Sequence, residues 1–122
     1  MHFERDPAIE ANAILGCSDG ELRLRGGTYT SSVIVTRDRV IDAWRPAPLD
    51  RLAIEDFALL LEAPPEVLLL GTGLTQRMPP PALFAALAAR GIGLEAMDNR
   101  AACRTYNLLL SEYRNVAAAI LL

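Results

Sequence analysis

The chain contains no lysine: all 12 of its basic residues other than His2 are arginine. That removes Schiff-base chemistry and the Walker-type phosphate loop, both of which need a lysine amine. Histidine is almost as scarce. The single one, His2, sits in what the sequence presents as a mobile N-terminal tail, so neither a Ser-His-Asp nor a Cys-His arrangement has a base. Cys17 and Cys103 are the only cysteines and lie far apart in sequence. With one histidine they are too few for a structural zinc site, which leaves only an all-carboxylate site for a hard cation formally open. No metal or cofactor is expected.

Long apolar runs are missing too. No stretch approaches the roughly 18 residues that cross a bilayer, and the opening MHFERDPAIEA is charged where a signal peptide would be apolar. The expectation is a cytoplasmic protein with no membrane span and two free thiols. Nor is there an excess of positive charge: 12 basic against 15 acidic residues leave a net charge of -3, which argues against a nucleic-acid binder built on bulk positive potential.

What the chain does have is the composition of a packed α/β domain. Hydrophobic residues make up 52% and charged residues 22% of 122 positions, enough for one domain with a sizeable core, read as residues 1–122. Residues 1–19 read as an N-terminal arm. Residues 20–45 read as a β-meander with strands near 21–25, 32–36 and 39–44, because β-branched residues cluster between turns at Gly26-Gly27 and Arg37-Asp38. Pro46 and Pro48 end it, and Asp50 is placed to cap a helix over about 51–62 with Leu52, Phe57 and Leu60 inward.

After Pro64-Pro65 the pattern becomes an alternation of strands and helices. EVLLLGTG is a continuous apolar run closed by glycines, the pattern of a strand buried on both faces. A helix follows over PPPALFAALAARG, opened by prolines and closed by Gly91, then the strand IGLEAMD, a helix whose start and body are MDNRAACRTYNLLLSEYR (97–114), and the strand NVAAAILL. The spacing Val67 to Ile92 to Val116 suits consecutive βαβ units, so a largely parallel sheet is expected.

The last helix carries a conflict. Its apolar stripe reads Ala102, Tyr106, Leu109 and Tyr113, while Arg100, Arg104, Asn107, Ser111 and Arg114 fall opposite. Arg100 and Arg104 thus lie in the first turns, where the positive end of the macrodipole disfavours cations by about 0.3–1 kcal/mol each. Asp98 or Asn99 as N-cap would offset part of this, and so would an anion or a partner's carboxylate. Otherwise the stripe simply faces water.

In an open α/β sheet ligands collect beyond the carboxyl ends of parallel strands. Two loops qualify, GTGLTQRMP and MDNRA. If their strands are neighbours, Gly71, Thr72, Gly73, Arg77, Asp98, Asn99 and Arg100 converge, with glycines allowing close approach and arginines offering bidentate donors for carboxylate or phosphate. GTG alone is a weak dinucleotide signal. Cys103, Trp44 and Tyr29 read as packing residues, and Glu55 and Asp56 point to different faces, so they form no acid–base dyad.

Taken together, SSVIVTRDRVIDAW, LLLGTGLTQRMPP and GIGLEAMDNRAACRTYN resemble the family of small α/β domains of unknown function that includes the mitochondrial respiratory complex I assembly factor 3 and an adipogenesis-associated domain-containing protein. The resemblance runs from about Gly20 to the end of the sequence. It implies an α/β three-layer domain whose central mixed, mostly parallel sheet is flanked by helices, with the N-terminal meander or hairpin packed on it. It carries over no catalytic residue. The functional expectation is a non-catalytic protein-interaction module with an unidentified partner, assisting assembly of a respiratory or other multi-subunit complex. The alternative is a small anionic ligand at loops 71–77 and 97–100.

Overall fold

A computed structural model of the chain describes residues 11–122; His2 and the first part of the expected arm lie outside that range. In chain order the strands and helices are β1 (Ile14–Ser18), β2 (Glu21–Leu24), β3 (Gly27–Tyr29), β4 (Val33–Thr36), β5 (Val40–Ile41), β6 (Val67–Gly71), α1 (Pro81–Ala88), β7 (Gly93–Met97), α2 (Asn99–Ser111) and β8 (Val116–Ile120). Three 3-10 turns, Leu49–Arg51, Ile54–Phe57 and Leu60–Glu62, bridge β5 to β6.

The βα alternation of the second half makes the sheet that the sequence implies. β6 lies between β7 and β8 and is parallel to both, Val67 facing Gly93 on one side and Val116 on the other. β4 then adds antiparallel to β8, and β5 antiparallel to β4, giving the order β5-β4-β8-β6-β7. The sheet is therefore mixed, its parallel part being the βαβ half. β4 and β8 are buried at every position, because layers cover both faces.

Side-chain alternation assigns the layers. Leu68, Leu70, Ala117, Ala119 and Ile34 point to a core closed by the 3-10 turns and α1 through Trp44, Leu52, Phe57, Leu60, Leu83 and Leu87. Leu69, Ala118, Ile120, Val33 and Val35 point the other way, onto α2 and a small antiparallel sheet β1-β2-β3. The alanines of the central strand β8 leave room for Tyr106 on one side and Phe57 on the other, both fully buried. This is the three-layer arrangement, helical on one side and helix plus hairpin on the other.

Three local readings are corrected. The expected arm 1–19 contains β1, which Asp19-Gly20 turns back onto β2 in a two-residue hairpin; Gly20 takes the left-handed backbone (φ 72°) that such a turn favours. The expected meander over 20–45 is split, with β2 and β3 in the small sheet and β4 and β5 in the central one. No continuous helix forms over 51–62, and the Asp50 side chain caps nothing. Asp56 organises the segment instead. Its carboxylate accepts the Ala47 and Ala53 N–H groups at 3.0 and 2.9 Å, and its carbonyl accepts the Trp44 indole N–H at 2.7 Å. Leu49 to Leu52 and Phe57 to Leu60 are spaced by three, the period of a 3-10 turn.

The inward stripe of α2 also differs. It reads Asn99, Ala102, Cys103, Tyr106 and Leu110, while Leu109 is only half buried. Tyr113 lies beyond the helix end in a left-handed conformation (φ 60°), exposed, with the Arg37 guanidinium 6.0 Å from its ring centre. Arg37 also donates to the Leu110 carbonyl at 3.0 Å, placing a cation at the helix C-terminus, where the dipole favours it.

Candidate interaction face

The carboxyl ends of β8, β6 and β7 are tied together by Asn99, the first residue of α2. Its Oδ1 accepts the Gly73 N–H at 3.0 Å, and its Nδ2 donates to the Leu121 carbonyl at 2.9 Å. The Asn99 N–H donates to the Gly73 carbonyl at 2.8 Å, and Leu121 N–H to the Gly71 carbonyl at 3.0 Å. The carboxamide sits so close to Gly71 that a Cβ there would overlap it and approach Ile120 Cδ1 to 2.9 Å. Thr72, also buried, holds the loop from within: its hydroxyl lies 2.7 Å from the Thr75 carbonyl and accepts the Arg77 N–H at 3.0 Å.

Gly71, Thr72, Gly73 and Asn99 thus do converge, but on one another. The same holds for the start of α2. Asp98 is its N-cap and accepts the Ala101 N–H at 2.9 Å, while Ala102 N–H goes to the Asp98 carbonyl. Amide donors that an anion at this helix start would use are therefore engaged by the protein itself. Asn107, read from sequence as part of the outward stripe, is half buried and locks β1 to α2: it accepts the Ile14 N–H and donates to the Ile14 carbonyl, both at 2.8 Å. That is the double bond pattern of a strand partner supplied by a side chain.

The arginines are the groups left facing outward. Arg100 and Arg104 are exposed on successive turns of α2. Arg100 borders a cavity of about 460 Å³ whose other walls include Cys17, Asp19, Gly73, Leu74 and Leu122. A second hollow of about 340 Å³ runs between α2 and β1, with Leu15, Cys17, Arg100, Cys103 and Arg104 around it. Arg77 borders an adjoining cavity of about 730 Å³, beside Trp44, Arg45 and Thr72, which shares the walls Gly73, Leu121 and Leu122 with the first. Leu74 is 75% and Leu15 53% exposed, so the arginines stand among uncovered apolar side chains.

Sequence reasoning missed the contribution of β1 and its turn, although the signal was there. Asp-Gly between two short apolar-alternating runs is a strong hairpin indicator, and it places Cys17 and Asp19 beside Arg100. Burial raises the pKa of two groups behind the face. The Cys103 thiol is pushed up by burial first and by neighbouring Cys17 next, with Arg104 pulling the other way. The Tyr106 hydroxyl is pushed up mainly by burial and donates to the Asn12 carbonyl at 2.8 Å. Among the described residues no group of three or more His, Cys, Asp or Glu side chains could hold a metal ion, and no helix is long and apolar enough to cross a membrane.

A three-layer α/β domain with an outward-facing arginine pair at the end of a parallel β-α-β unit is the class that this geometry defines. The chain belongs to the family described as "Protein of unknown function (DUF498/DUF598)", which matches it over residues 14–121. It is 31% identical over 103 residues to the "13 kDa major membrane protein" of Francisella tularensis subsp. holarctica, covering 84% of each chain. It is 38% identical over 116 residues to the Danio rerio "NADH dehydrogenase [ubiquinone] 1 alpha subcomplex assembly factor 3", covering 93% of this chain and 66% of that protein. Among solved structures, a Xanthomonas campestris protein determined by NMR is similar with a TM-score of 0.82 at 36% identity, covering 97% of this chain and 89% of that one. The family and fold implied by the sequence resemblance are those found.

Proposed function

We propose that the chain is a protein-interaction module that assists assembly of a multi-subunit complex, with a respiratory complex as the leading case, and that its contact face is the start of α2 with loop 73–78 and β1. Arg100 and Arg104 are the direct contacts to acidic groups of the partner, and Leu74 and Leu15 supply the apolar part. Gly71, Thr72, Gly73, Asp98, Asn99 and Asn107 hold that face in shape. The reading rests on one observation: the polar groups at the strand ends are bonded to one another, whereas the two arginines are exposed at the wrong end of a helix dipole. The name of the Danio rerio relative supports an assembly role. No reaction enters this reading. A small anion at loops 71–77 and 97–100 is disfavoured, because amide donors it would need are already used.

The test is affinity capture from native lysate with the wild-type chain and with Arg100→Gln/Arg104→Gln, at low and near-physiological salt. Proteins retained by the wild type should be lost with the double variant. They should also weaken with salt, since exposed charge pairs are screened over about 8–10 Å. Identical capture by both chains rejects the face.

A further inference from the structure

The two cysteines, 86 positions apart in sequence, come to the same hollow in the fold. Cys17 lies on β1 and Cys103 on the second turn of α2, and both border the same hollow of about 340 Å³. Cys17 packs against the core cluster to which Cys103 belongs. Asn107 clamps Ile14 to α2 on the same side, so β1 is held against the helix before any covalent bond forms. From this geometry we infer that Cys17 and Cys103 are a dithiol site for thiol–disulfide exchange, closing to an intrachain disulfide with a low-molecular-weight disulfide such as glutathione disulfide as oxidant.

The steps balance with that oxidant alone. The Cys17 thiolate attacks one sulfur of glutathione disulfide, breaking its S–S bond, forming a mixed disulfide on Cys17 and releasing one glutathione thiolate. Cys103 then loses its proton to solvent and attacks Cys17 Sγ. The protein S–S bond forms and the second glutathione leaves. Two protein thiols are oxidised by two electrons, and one glutathione disulfide is reduced to two thiols. The order follows from access: Cys17 is half buried on the wall of the hollow, whereas Cys103 is 6% exposed. Burial also holds Cys103 in its protonated form, which suits it to the second, intramolecular step, where proximity replaces intrinsic reactivity. Arg100 and Arg104 at the mouth favour an anionic reagent such as glutathione disulfide. The product fastens the small sheet to α2, and the site stands independently of the assembly reading.

The experiment incubates the native, fully reduced chain with glutathione disulfide and glutathione at graded ratios, followed by acid quenching, intact-mass measurement and peptide mapping. The expected product has lost two hydrogen atoms and joins the Cys17 and Cys103 peptides within one chain. Cys103→Ala should stop at one glutathione attached to Cys17. Cys17→Ala should leave Cys103 unmodified under the same conditions. Wild-type chain that stays reduced, accumulates only the mixed disulfide, or links to a second chain overturns the inference, and that measurement needs no variant.

Discussion

Replacing Asn99 by alanine separates a structural role for this residue from a ligand-binding one. The substitution removes the acceptor of the Gly73 N–H and the donor to the Leu121 carbonyl, both at the ends of central strands. Asn99 is only 8% exposed, so water reaches these groups poorly. Each buried group left without its partner costs about 1–3 kcal/mol; allowing for partial solvation on the Gly73 side, the total is about 2–4 kcal/mol. For a domain of this size that lowers Tm by roughly 6–15 °C. Urea denaturation and a thermal melt followed by far-UV circular dichroism read it directly. Asn99→Asp keeps the acceptor but loses the donor, and should fall between the two. A loss below about 1 kcal/mol for the alanine variant would refute the reasoning, because the carboxamide would then not be the strand-end clamp described.

Gly71→Ala should destabilise by about 1–3 kcal/mol through overpacking against Asn99 and Ile120, measured by the same urea curves. Asn107→Ala should cost about 1–3 kcal/mol and speed amide exchange in β1 ahead of the central sheet, as two bonds to Ile14 are lost. Stability should fall on the alkaline side: Cys103 and Tyr106 both have raised pKa values in the folded state, so their neutral forms favour folding fully below the unfolded values. That contribution is lost as pH climbs past about 8.5 and then about 10, whereas Tyr106→Phe should remove the second part. Arg100→Gln/Arg104→Gln should leave Tm unchanged or slightly raised, by up to about 1 kcal/mol per site in stability, because two cations leave the positive end of a dipole.

The βαβαβ half was readable because its strands are short apolar runs, the first bounded by Pro65 and Gly71 and the second preceded by Gly91, with Val67, Ile92 and Val116 at crossover spacing. The first half resisted for physical reasons. β1, with Gly16, Cys17 and Ser18, has little β-propensity and is held by Asn107 and the Asp19-Gly20 turn rather than by its own side chains. β3 has only three residues, too short for periodicity to register, and of the strand expected near 39–44 only the two residues of β5 form. Over 49–62 a helical pattern of leucines was overruled by one carboxylate, Asp56, that ties up two amide donors. At the candidate site, the loops were identified from sequence, and the pairing of β6 with β7 brings them together. What the loops do with their polar groups was not, because a hydrogen bond from Asn99 to Gly73 depends on contacts made across the sheet.

The central claim, a partner-binding face at the start of α2, is tested most directly by site-specific photo-crosslinking in native lysate. A photoreactive residue replaces Leu74 or Leu15, both exposed beside Arg100, and as control Arg90, exposed after the end of α1. The account predicts discrete protein adducts from positions 74 and 15 that disappear when Arg100 and Arg104 are also changed to glutamine, and none of them from position 90. The same adducts from all three positions, or adducts at 74 and 15 that survive the loss of both arginines, would contradict it.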